Sequence, residues 1–115
     1  MIRSTGRASR DYLFVEDAVD AYLGLAEAAG SLKGEAFNIS TGRPWTVLEV
    51  CSAIDAALGV DGPPHRVLGT AEKEGEIPHQ TLDCAKIRDA IGWTAKTSMQ
   101  DGLAATVDWY RSVLG

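Results

Sequence analysis

The stretch TVLEVCSAIDAALG, residues 46 to 59, fixes one element of any fold this chain can adopt. Thr46 and Glu49 stand at T-x-x-E spacing, the capping box in which two side chains satisfy backbone N–H groups that a helix start otherwise leaves open. Val47, Val50, Cys51, Ile54 and Leu58 recur at three- and four-residue steps. Gly59 stands just past them, where a left-handed residue ends a helix. One apolar stripe needs a surface to lie on, so the rest of the chain must supply strands or more helices.

It supplies both. Val15, Ala18, Val19, Tyr22, Leu23 and Ala26 predict an amphipathic helix over 16–29, with Glu16 and Asp17 in its first turn, where the macrodipole favours carboxylates, and Gly30 as its stop. CAKIRDAI reads as a third helix, capped by Asp83 and ended by Gly92. A fourth opens at Ser98 with Asp101 completing a capping box. Leu103, Thr106 or Val107, Tyr110 and Leu114 form its inner stripe, with Trp109 at the edge. EAFNIS, residues 35–40, alternates apolar and polar side chains between Gly34 and Gly42 and predicts a strand. YLFV (12–15) is a short strand or an extended lead-in, RVLG a candidate short strand, and TGRPW a turn. The order β-α-β-α-loop-β-α-α describes a mixed α/β fold with more helix than sheet, and 115 residues suit a single domain over 1–115.

Composition narrows the function classes. A formal charge of −5 argues against broad contact with nucleic acid, which needs a basic face. No apolar run approaches the roughly 18 to 20 residues of a membrane span. MIRSTGRASR leads into no apolar segment of signal length, because Glu16, Asp17 and Asp20 interrupt it; the expected location is the cytoplasm. Cys51 and Cys84 lack metal-binding spacing and read as buried free thiols. His65 and His79 have no partners at ligand spacing and read as loop histidines, so no metal site is expected.

Several catalytic patterns are absent. There is no G-x-G-x-x-G to approach a pyrophosphate, and GTAEKEG is no P-loop because no Lys-Ser/Thr follows it. Tyr12, Tyr22 and Tyr110 are followed four residues on by Glu16, Ala26 and Leu114, so none heads a Y-x-x-x-K pair. No G-x-S-x-G elbow exists.

Four stretches taken together, RDYLFVEDAVDAY, EAFNISTGRPWTVLEV, EGEIPHQTLDCAKIRDAIGW and SMQDGLAATVDWYR, resemble the C-terminal portion of extended short-chain dehydrogenase/reductases. These are the NAD-dependent sugar-nucleotide epimerases and 4,6-dehydratases. The resemblance runs from IRSTG onward, in the family's order. It implies a helix-rich, substrate-binding C-terminal portion of an α/β enzyme, lacking the N-terminal Rossmann half that carries the glycine loop and the Y-x-x-x-K pair. NAD belongs to the parent family, whose chemistry begins with hydride abstraction at the sugar C4; this chain alone is expected to bind no cofactor and to catalyse nothing.

By the same resemblance, Arg10 matches the arginine of the family's R-D-Y/F motif, which reaches the diphosphate of a nucleoside-diphosphate-sugar. Lys73 and Glu76 fall where relatives have Arg and Asp in R-E-G-D, touching phosphate and ribose; lysine there keeps the charge but loses the bidentate fork. The plainer readings are an ion pair from Arg10 to Asp11, Glu16 or Asp17, and a solvated charged loop for Lys73 and Glu76. Asp11 orients Arg10 or caps backbone amides. The resemblance also places the helix after V-E-D and the EAFNIS strand at the edge of the nucleotide-binding sheet, with 10–45 packing on it. Without that sheet an apolar face and a strand edge stay open, which predicts a homo-oligomer or a Rossmann-domain partner. The alternative function is a non-catalytic interaction or assembly module that kept the fold.

Overall fold

The structure, a computed structural model, describes residues 1–61, 65–70, 75 and 77–115. Among these, the paired strands are β1 (Ser9–Asp11) and β2 (Pro44–Thr46), antiparallel, with Ser9 opposite Thr46, Arg10 opposite Trp45 and Asp11 opposite Pro44. The sequence pattern predicts a turn over TGRPW, yet its second half is this strand. Pro44 sits at the strand's first position, where a missing N–H is tolerated. On its other side β1 meets the segment around His79. Ser9 N–H donates to the Pro78 carbonyl at 2.9 Å and Gln80 N–H to the Ser9 carbonyl at 3.2 Å. β1 is thus flanked on both sides. RVLG contributes one parallel bridge, Val67 to Ile2.

The helices among the described residues are α1 (Val15–Glu27), α2 (Val47–Leu58), α3 (Ala85–Ile91) and α4 (Met99–Leu114). The box on α2 is closed as the spacing predicts: Glu49 N–H donates to Thr46 Oγ1 at 3.2 Å, and Glu49 Oε2 accepts the Thr46 N–H at 2.7 Å. Gly59 ends that helix at a φ of 68°. On α4 the box is only half made. Ser98 Oγ accepts the Asp101 N–H, but Asp101, one methylene shorter than glutamate, takes the Ser98 hydroxyl at 2.6 Å instead of its N–H. α3 begins one residue later than its expected cap, with Cys84 as N-cap, although Asp83 Oδ1 still accepts the Ala85 N–H at 2.8 Å.

Two expectations from periodicity are corrected. Residues 35–40 keep the predicted alternation, Phe37 and Ile39 packing on the core while Ala36 and Asn38 face out, but they form no strand. No backbone N–H from Ala36 to Ser40 has a partner among the described residues. Alternation selects a face; it does not provide a neighbour. The apolar stripe of α1 points outward, the open face expected above for this helix: Val15, Val19, Tyr22 and Leu23 are exposed, Tyr22 at 71%. The buried side is instead Asp17 and Ala21, with Gly24 so close to Ile91 that an added Cβ would lie 3.0 Å from its Cδ1. The far end of α4 also opens outward, against its expected inner stripe, since Val107 is buried but Tyr110 and Leu114 are exposed.

The core is correspondingly small. Ala21, Ile87 and Trp93 are buried together, ringed by Leu13, Leu25, Phe37, Ile39 and Ile91 among others. Asp17 ties α1 to the segment after α3, its Oδ2 accepting the Lys96 and Thr97 N–H groups while its carbonyl accepts Trp93 Nε1–H at 3.2 Å. The molecule is an open slab, 52 × 40 × 19 Å. Its radius of gyration is 17.0 Å, where a compact domain of this length has about 13 Å. It exposes 8172 Å², roughly 2,000 Å² more than a folded monomer of its mass.

Candidate functional site

β1 reads Ser-Arg-Asp, and the strand period of two sends Ser9 and Asp11 to one face and Arg10 to the other. Both flanking side chains fasten β1 to distant segments. Ser9 Oγ lies 2.9 Å from His79 Nδ1. Asp11 Oδ1 accepts the Thr41 N–H at 2.9 Å and the Thr41 hydroxyl at 2.7 Å, while Oδ2 accepts the Gly42 N–H at 3.0 Å and the Thr81 hydroxyl at 3.4 Å. Of the two roles open to Asp11, the structure gives it the capping of amides. Partial burial pushes its carboxyl up, but the Thr41 hydroxyl and the Thr41 and Gly42 amides outweigh that, and the net pKa falls below the ordinary aspartate value.

Arg10 is half-buried, and its Nη1 donates to the Ser9 carbonyl at 2.7 Å, steadying the guanidinium along its own strand. Directly across the ribbon stands Trp45, whose ring carries the Arg43 guanidinium 4.5 Å from its centroid. Sequence reading missed Arg43. The available signal was an arginine two residues before a tryptophan entering a strand, which puts both on one side. Lys73 and Glu76 lie outside the described residues.

Beside Trp45 a half-open recess of about 200 Å³ is lined by Tyr12, Phe14, Thr41, Met99 and Leu103. That is below the roughly 300 Å³ where small-molecule pockets begin. The arrangement sets the guanidinium groups of Arg10 and Arg43 about Trp45, whose side chain lines this half-open recess.

Among the described residues, first-turn amides of α2 and α4 are taken by the Thr46 and Ser98 hydroxyls, an amide at the start of α3 by Asp83, and α1 opens with the carboxylates of Glu16 and Asp17. Among the described residues no group of three His, Cys, Asp or Glu is placed to hold a metal, and no helix is long and apolar enough to cross a membrane. Both cysteines are free and half-buried. Cys84 Sγ lies 2.9 Å from Ser40 Oγ.

Residues 1–40 match the family described as NAD dependent epimerase/dehydratase. A UDP-glucose 4-epimerase from Mycolicibacterium smegmatis is 32% identical over 107 residues, covering 93% of this chain and 33% of that protein. A dTDP-glucose 4,6-dehydratase from an Actinoplanes species is 35% identical over 107 residues, covering 93% of this chain and 32% of that protein. Among solved structures, the UDP-glucose 4-epimerase of Thermotoga maritima with UDP-glucose superposes at a TM-score of 0.80 and 31% identity, over 99% of this chain and 35% of that one. The chain spans about a third of the length of these relatives, and over nearly its whole length it is similar to members of the NAD-dependent epimerase/dehydratase family.

Proposed function

We propose that this chain is the substrate-side portion of an NAD-dependent sugar-nucleotide epimerase or dehydratase. It binds the diphosphate of a nucleoside-diphosphate-sugar through Arg10 and performs no catalysis alone. The observation that carries this is the setting of Arg10. It lies on a strand held from both sides, by Ser9 to His79 and by Asp11 to Thr41, Gly42 and Thr81, so the guanidinium is presented from a rigid base. A planar, permanently charged fork on a fixed backbone is suited to diphosphate. Lys73 and Glu76 would add contacts to phosphate and ribose, and the hydride chemistry and its NAD would reside in a Rossmann half outside this sequence. That half would cover the exposed α1 stripe and pair with the open edge at 36–40.

Calorimetry with CDP-, UDP-, GDP- and dTDP-sugars tests the reading. One of the four is expected to bind saturably. Arg10→Ala should weaken that binding by about ten- to a hundredfold, the loss of one charge-assisted contact. Absence of binding to all four rejects it.

A second reading, a non-catalytic assembly module, is favoured by the contiguous apolar surface where Val15 meets Trp109 and Tyr110. It expects protein association with no sugar-nucleotide binding.

A further inference from the structure

The face of the ribbon that carries Arg10 holds a second guanidinium. Arg10 and Trp45 are direct partners in the β1–β2 register, and residues directly opposite one another project to the same side. Arg43 stacks on that same Trp45 ring. Stacking occupies the flat face of a guanidinium and leaves its in-plane N–H fork open to an anion.

The turn bearing Arg43 is also coupled to Arg10 through the chain. Arg43 N–H donates to Thr41 Oγ1 at 3.1 Å, and that hydroxyl donates to Asp11 at 2.7 Å. Asp11 directly follows Arg10, so the two arginines share one anchor. The nearby acid, Glu49, whose carboxyl is held down chiefly by the Thr46 amide and hydroxyl and also by the Arg43 charge, is committed to Thr46. It does not consume the Arg43 fork.

We propose that Arg43, presented by Trp45, is a second cationic contact for the diphosphate that Arg10 holds. This rests on the reading of Arg10 as a phosphate ligand and adds a residue to it. Two guanidinium forks suit a group with two phosphoryl units better than one does.

The test titrates inorganic pyrophosphate and the diphosphates of uridine, cytidine, guanosine and thymidine into the full chain, followed by tryptophan fluorescence and calorimetry. Arg43→Ala is expected to weaken diphosphate binding about tenfold or more, and Arg43→Lys to restore only part of it. The fluorescence response to ligand should vanish in Trp45→Leu, since Trp93 and Trp109 lie elsewhere. Arg43 is exposed, and an unchanged circular dichroism spectrum verifies that its variants fold. Unchanged affinity in Arg43→Ala, alongside a loss in Arg10→Ala, overturns this inference and leaves the Arg10 reading standing. Arg43-dependent binding of pyrophosphate without binding of any nucleotide supports the clamp and removes the nucleotide ligand. No binding of any of these anions overturns both.

Discussion

The Asp11 carboxylate takes both the amide and the hydroxyl of Thr41, at 2.9 and 2.7 Å, so the residue after Arg10 anchors a turn thirty positions away. Asp11→Asn sets an NH2 group against at least one of these donors and removes the charge that strengthens the rest. The expected cost is about 1–3 kcal/mol, read as a lower urea midpoint. A midpoint equal to wild type would show that the staple contributes nothing.

Acid should loosen the same region. Asp11 is lowered because the Thr41 and Gly42 donors outweigh its desolvation, Glu35 mainly by its hydrogen bond to Lys86, and Glu49 mainly by the Thr46 amide. A carboxylate whose folded pKa lies below its unfolded value contributes stability that is fully present above the unfolded value, about 4. That stability is lost as pH falls through the folded value. The melting temperature should therefore hold from pH 7 to about 5 and drop below about 4. Asp11→Asn should start lower and fall less steeply in acid. Parallel profiles for the two proteins would assign the acid loss elsewhere.

Asp17 offers a sharper test because it is buried at 4% exposure. Asp17→Ala strands the Lys96 and Thr97 amides, and at about 1–3 kcal/mol for an unsatisfied buried group it should be among the most damaging single changes on α1. Asp17→Asn keeps one acceptor oxygen and should cost less. Thermal unfolding gives the order, and near-ultraviolet dichroism reports whether Trp93 has lost its setting.

What could be read in advance was local. The box of Thr46 with Glu49 and the stop at Gly59 depend on residues within one turn of each other, and α2 came out as its spacing predicts. Asp17 carried a sound local reason to sit in a first turn, yet its partners are some eighty residues on, beyond any periodicity argument. The α1 stripe was legible as apolar from its spacing, but that it lies open came from the resemblance, because a pattern cannot say what covers a face. Residues 35–40 fail as a strand for the same reason. Arg10 was singled out through resemblance; its neighbour Arg43 needed the β1–β2 register, which no local pattern in TGRPW encodes.

The uncovered surface makes the last prediction. Val15, Val19, Tyr22 and Leu23 form one exposed face of α1, and the N–H groups of 36–40 are unpaired among the described residues. An excess of roughly 2,000 Å² over a compact monomer is as large as a whole standard protein interface. The isolated chain should therefore self-associate at micromolar concentration, visible in light scattering and sedimentation. Val19→Asp together with Tyr22→Asp should shift it toward monomer without loss of helix signal, since both side chains already face solvent. Co-expression with a nucleotide-binding half from a relative should replace self-association by a one-to-one complex, which the same double substitution weakens. A well-folded wild-type monomer at high concentration would mean that this face and edge are tolerated in water, and would count against a role in assembly.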